Sequence, residues 1–155
     1  MADRTEVTIE VAAGSMALYE MVSDVPRMGE WSPENVGCTW LDGATGASVG
    51  ARFKGKNQRG WRRWSTVNEV VEADPGRAFA FRTSSFGLRV ALWRYAFVGD
   101  DPDGPTTVTE SWTDERGTII TVGGRLATGV GDRASHNQEG MAQTLEALKA
   151  AAEAG

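Results

Sequence analysis

The sequence predicts an α+β fold: a seven-stranded, curved antiparallel sheet, with two short helices after the first strand, wrapped on a long C-terminal helix. Three observations predict it. Period-two alternation with regularly spaced turn residues fills the middle of the chain. Helical spacing of apolar residues follows the first strand, and a single helical stripe runs from Asp132 to the C-terminus. At 155 residues the chain suits one domain, 1–155, with a substantial core.

The elements follow in order. Thr5 to Val11 alternates, with Val7, Ile9 and Val11 on one face. Ser15 is the expected N-cap of a helix over Met16 to Val25, where Leu18, Met21, Val22 and Val25 recur at helical spacing. Asp24-Val25-Pro26 breaks it, and a second short helix runs toward Trp31 until Ser32-Pro33 stops it. Strands are expected at 36–41, 49–57, 62–73, 77–84, 88–99 and 106–116, separated by Asp42-Gly43, Gly60, Asp74-Pro75-Gly76, Gly87 and the Asp100 to Pro105 turn. Gly117 to Gly131 has no clean period and reads as a short helix or a mobile flap. In the last helix Ala134, Asn137, Met141, Leu145, Leu148 and Ala152 form the stripe, which needs the concave face of the sheet to cover it.

Sixteen basic against 21 acidic residues give a net charge of −5, which offers no general attraction to nucleic acid or to anionic membrane. One basic and aromatic cluster, Arg59-Gly60-Trp61-Arg62-Arg63-Trp64, reads as a hairpin with solvated arginines rather than a nucleic-acid site. Cys38 is the only cysteine and His136 the only histidine, so no intrachain disulfide and no Cys/His metal set can form. No signal-peptide run, membrane span or phosphate-loop pattern is present. The expectation is a cytoplasmic protein with no metal, no cofactor and no stable membrane insertion, its protein partners left open.

Candidate chemistry concentrates on two strands. Trp93, Tyr95 and Phe97 share one face, and Val108, Glu110 and Trp112 share one face of the next. Glu110 therefore sits among aromatics, where it is either paired, an arginine near the sheet edge being one choice, or lines a cavity open to water or ligand. Val49, Ala51, Phe53, Gly55 and Asn57 share a face on the third strand, Trp64, Thr66, Asn68 and Val70 on the fourth, and Phe79 and Phe81 on the fifth. Flat aromatics with sparse polar points fit a small-molecule pocket, and they also fit an ordinary packed core. Trp40 and Trp61 are not assigned, because one bulge would invert their face. Gly140 marks either space for a ligand or close helix–sheet packing.

Gly29-Glu30-Trp31-Ser32-Pro33, Gly50-Ala51-Arg52-Phe53, Trp93 to Phe97, Thr107 to Trp112 and Gly140 to Lys149 resemble one group. The chain is similar to actinobacterial members of the START-like (SRPBCC) superfamily, in the branch of polyketide cyclase/dehydrase and lipid-transport proteins. The resemblance covers essentially the whole chain and implies the helix-grip fold, with a cavity between sheet and C-terminal helix that receives an apolar or aromatic small molecule. Trp31, Phe53, Asn57, Trp64, Phe81 and Trp93 are the expected ligand-binding residues, together with Tyr95, Trp112, Asn137, Met141 and Leu145. Binding of a lipid- or polyketide-like molecule is the first functional expectation. An aromatase/cyclase-like enzyme, with Glu110 as acid/base and Tyr95 and Asn137 as carbonyl donors, is the second. A protein-interaction module that a ligand switches through the 117–131 segment is the third.

Overall fold

The computed structural model describes residues 4–116 and 133–154. Strand β1 (Arg4–Val11) is followed by helix α1 (Ser15–Ser23) and a 3₁₀ turn (Val25–Glu30). A meander of β2 (Asn35–Trp40), β3 (Arg52–Arg59), β4 (Arg62–Asp74), β5 (Ala78–Ser85), β6 (Leu88–Val98) and β7 (Thr106–Asp114) comes next, and the C-terminal helix α2 (Arg133–Ala154) closes the chain. All seven strands form one antiparallel sheet in the order β1-β7-β6-β5-β4-β3-β2. Register shifts at Asn35/Gly37, Val70/Glu72 and Thr83/Ser84 add the local bends that a strongly curved sheet requires. The expected 117–131 helix or flap lies outside the described residues.

Two details depart from expectation. Helix α1 is capped by Gly14 rather than Ser15, and no side chain caps it. A Cβ on Gly14 would stand 1.8 Å from the Pro102 carbonyl oxygen, so the approach of the β6–β7 turn excludes a capping side chain there. Val49 is 69% exposed and precedes β3, so it does not share the covered face of Phe53 and Gly55.

The hairpin turns follow from their backbone signs. Gly60, at φ +62°, is the first of the two residues joining β3 to β4, which is the type II′ arrangement. Phe86 and Gly87, at φ +52° and +76°, join β5 to β6 with both residues left-handed, as a type I′ turn demands. Phenylalanine stands there where asparagine or glycine is the comfortable choice.

Helix α1 lays Leu18, Tyr19 and Val22 on one end of the inner face, where Tyr19 meets Phe79 and Phe97 edge-on at centroid distances of 6.5 and 6.3 Å. Helix α2 lies mainly over β1, with a smaller contact on β7. Asn137, Met141, Leu145 and Leu148 are buried along the expected stripe, while the side chain of Ala134 is not described. The far end of α2 is tied to β1. Lys149 Nζ donates to the Glu10 carbonyl at 2.9 Å, and Glu153 accepts from the Ala12 N–H at 2.8 Å. Its near end meets the loop before β2, where His136 pairs with Glu34 and Pro33 is the neighbour that a Cβ on Gly140 would touch, at 3.7 Å.

Burial of the α2 stripe outweighs its surface ion pairs in holding the helix. Leu145→Ala is expected to lower stability by about 2–5 kcal/mol, whereas Lys149→Ala should cost about 1 kcal/mol or less. Urea unfolding of the two variants measures both.

Candidate functional site

The inner face is laid out in rows by the strand register. Beside α1 lies the row Ile9, Val108 and Phe97; in the next, Glu110 on β7 stands opposite Tyr95 on β6, with Val7 on its other side and Phe79 beyond Tyr95. The next row toward the β3–β4 and β5–β6 hairpin tips is Trp112, Trp93, Phe81 and Val70. The row after that is Ala91, Thr83, Asn68 and Phe53, followed by Thr66 with Gly55 and then Trp64 with Asn57. Tyr95 and Glu110 are thus joined by two strands whose alternation left no freedom in which face they share.

Glu110 is 2% exposed. Among the described residues no arginine pairs with it. The Tyr95 side chain hydrogen-bonds to its carboxyl, yet Oε1 of Glu110 is buried with no partner among the described residues. Burial pushes the Glu110 carboxyl up to about 8, and the Tyr95 hydrogen bond pulls the other way without overcoming it. Tyr95 is raised well above its ordinary value by its own burial first and by Glu110 second. At neutral pH the pair is therefore a protonated carboxylic acid beside a neutral phenol.

The other expected residues divide into two groups. Trp31, Phe53, Phe81, Tyr95 and Leu145 belong to the main core, and there Phe53 packs edge-on to Phe81 at 5.1 Å and to Trp40 at 5.6 Å. Trp112 and Met141 form a separate cluster with Ala91, against which Trp93 packs half-buried. Asn57 and Trp64 are half-buried at the tip end, and Asn137 is buried on α2. Edge-to-face rings thus fill the face as far as the Phe53 row, with Trp93 half-buried beside Phe81 and Trp64 half-buried nearer the hairpin tips.

The partners of some polar groups escaped the sequence reading. Thr83 donates its hydroxyl to Asn68 Oδ1 at 2.7 Å, and Asn68 Nδ2 reaches the Phe53 carbonyl and Thr66 Oγ1, each at 3.3 Å. Asn68 was in phase with Val70 and Trp64, a signal for an inward amide, but its partner lies 15 residues away on β5. Arg62 Nε, at the tip end, is buried without a partner. Trp40 faces inward against Phe53, while Trp61 points to solvent. Among the described residues no group of His, Cys, Asp and Glu comes together to hold a metal, and no helix is long and apolar enough to cross a membrane.

Residues 2–153 match the family model described as polyketide cyclase / dehydrase and lipid transport. Among solved structures, a polyketide cyclase-like protein of Corynebacterium glutamicum is 32% identical over 96% of this chain and 90% of its own, with a TM-score of 0.57. A START superfamily protein of Mycobacterium smegmatis is 18% identical, with 97% of each chain covered and a TM-score of 0.68. The major latex-like protein 151 of Panax ginseng is 14% identical, again with 97% of each chain covered and a TM-score of 0.72. The last two likenesses speak for the helix-grip fold alone. No curated protein matches the chain.

The raised carboxyl has a consequence for stability. The folded protein holds the Glu110 proton up to about pH 8, whereas the unfolded chain releases it near the ordinary value of 4.5, so the folded state binds more protons between those limits. This group's contribution is fully present below about pH 4.5 and is lost progressively up to about pH 8. Glu110→Gln removes that dependence. Its stability relative to the native chain should rise with pH over this window, by a few kcal/mol in all, roughly 1.4 kcal/mol per pH unit. Urea unfolding of both chains at about pH 5, 7 and 9 reads the difference, and the other titrating groups cancel in it.

Proposed function

The chain belongs to the polyketide cyclase / dehydrase and lipid transport family, and on that premise we propose that it binds an apolar or aromatic small molecule, lipid- or polyketide-like, between the sheet and α2. The whole chain acts in this reading as one ligand-binding unit in the cytoplasm. The observation that carries it is the buried Oε1 of Glu110, unpartnered among the described residues, within an aromatic face. A buried polar atom left without a partner costs about 1–3 kcal/mol. A hydroxyl or carbonyl on a ligand would supply the missing partner, since a protonated carboxyl both donates and accepts. The half-buried Trp93 and Trp64 provide flat apolar walls on the way out toward the hairpin tips.

A second reading, an aromatase/cyclase-like enzyme, is favoured by one specific feature. A carboxyl raised to about 8 beside a neutral phenol is a general acid tuned near working pH. Protonated Glu110 would hydrogen-bond a substrate carbonyl and hand over its proton as the neighbouring carbon loses one, with Tyr95 holding the carboxyl in place. Glu110→Gln keeps the hydrogen bond and abolishes the proton transfer. Turnover should then vanish with ligand binding largely retained, and unchanged turnover excludes the enzymatic role.

Native mass spectrometry of the protein as purified from its producing cell, followed by solvent extraction, tests the first reading. The expected outcome is a stoichiometric apolar compound carrying a hydroxyl or carbonyl group. Glu110→Leu, which removes its polar partner, should weaken its binding by about tenfold to a hundredfold, the equivalent of one buried hydrogen bond. An empty protein that also ignores a panel of apolar probes contradicts the proposal.

A further inference from the structure

The two hairpin tips carry features that neither folding nor the inner face uses. Phe86 is 99% exposed and Trp61 80% exposed, and Leu88 beside Phe86 is 51% exposed. Phe86 occupies a left-handed position in its turn, at φ +52°, and packs on nothing in return. A strained turn that displays a bare aromatic ring to water is a poor choice for stability alone, because asparagine in the same place would be relaxed.

Charge accumulates at the same place. Arg59, Arg62 and Arg63 flank Trp61, and Arg89 lies three residues beyond Phe86. None of the four makes an ion pair among the described residues. Nearby carboxylates are already engaged: Asp114 by Arg116, Glu115 by Arg82, and Glu34 by His136. Arg62 stacks on the Trp61 ring at 4.3 Å. The chain is acidic as a whole, with a net charge of −5, yet at the tips it presents free guanidinium groups around exposed rings. Acidic groups more than about 8 Å away are largely screened at physiological salt.

We propose that the β3–β4 and β5–β6 hairpin tips form a docking surface for the interface of a bilayer that contains anionic lipids. Tryptophan and phenylalanine settle at the headgroup level, and arginines beside them pair with lipid phosphates. Each signal alone is weak, and together they give reversible attachment without a spanning segment. The register also sets the approach. Past the Val67–Ser84 pair, the β3–β4 ribbon runs six residues to Trp61 and the β5–β6 ribbon two to Phe86, so Trp61 leads by about four residues, roughly 13 Å. The sheet therefore meets the surface obliquely, with Trp61 deeper. The tips stand at the end of the inner face where Trp64, Asn57 and Arg62 lie, so docking places the route to Glu110 against the source of an apolar ligand. Only this last purpose rests on the ligand-binding reading.

Flotation of the full chain with phosphatidylcholine vesicles, with and without phosphatidylglycerol, tests the proposal. Binding is expected only when phosphatidylglycerol is present and should fall with added salt. Arg59→Gln, Arg63→Gln and Arg89→Gln together should weaken it about a hundredfold, since each arginine near an anionic surface is worth about fivefold. Trp61→Ser with Phe86→Asn should weaken it at least tenfold, while Phe86→Asn alone raises the melting temperature. Vesicle binding that these variants leave unchanged overturns the proposal, as does no binding to phosphatidylglycerol vesicles. Capture of an oligothymidylate strand or of a protein instead of vesicles overturns it as well. Retention of an apolar probe in vesicle-free buffer is measured in parallel: its loss with docking intact sinks the ligand reading alone, and its survival without docking sinks the docking surface alone.

Discussion

A carboxyl group enclosed by apolar side chains, with no cation beside it among the described residues, tends to keep its proton, and that constraint organises the inner face of this sheet. Glu110 is held in place from both sides by backbone pairing, Val7 on β1 and Tyr95 on β6. It is buried from water, and its side-chain partner among the described residues is a phenol that burial keeps neutral. Had an arginine reached it, the site would be an ion pair of structural interest only. With none among the described residues, burial favours the uncharged acid, a group that both donates and accepts hydrogen bonds.

The rest of the architecture serves that arrangement in two halves. Tyr19, Phe79 and Phe97 pack edge-on at the α1 end, and Phe81 and Phe53 continue the ring packing along the next two rows toward the tips. In the row of Phe53 the buried polar groups satisfy one another, Thr83 with Asn68 and Asn68 with Thr66 and the Phe53 carbonyl, and beyond it, at Trp64 and Asn57, the burial loosens. Helix α2 lies across β1 and β7, anchored by Glu153 and Lys149 at one end and meeting the Pro33–Glu34 loop at the other. The curvature that brings these pieces together comes from the strand irregularities at Asn35, Val70 and Thr83.

Much of this was legible in the sequence because alternation is a strong signal where one face of a strand is buried. The pairing of the Trp93-Tyr95-Phe97 face with the Val108-Glu110-Trp112 face follows directly from period two, and the register aligned them residue for residue. The stripe Asn137, Met141, Leu145 and Leu148 was equally plain. What was not legible depends on contacts between distant segments. Gly14 rather than Ser15 caps α1 because a turn some 90 residues later presses on it, and no local pattern records that. Trp40 and Trp61 look alike in sequence, and only the irregular start of β2 and the turn at Gly60 send one inward and the other to solvent. Glu34 beside His136 and Asn68 beside Thr83 were invisible for the same reason.

The protonation state of Glu110 is the point on which the account turns, and carbon-13 NMR of the glutamate side-chain carboxyls, with Glu110 assigned by its Gln variant, reads it directly. The resonance should report a protonated acid at neutral pH, titrate near 8, and move on addition of the bound apolar compound without ionising. A Glu110 carboxyl that titrates in the ordinary range near 4.5 and is ionised at pH 7 would contradict the account.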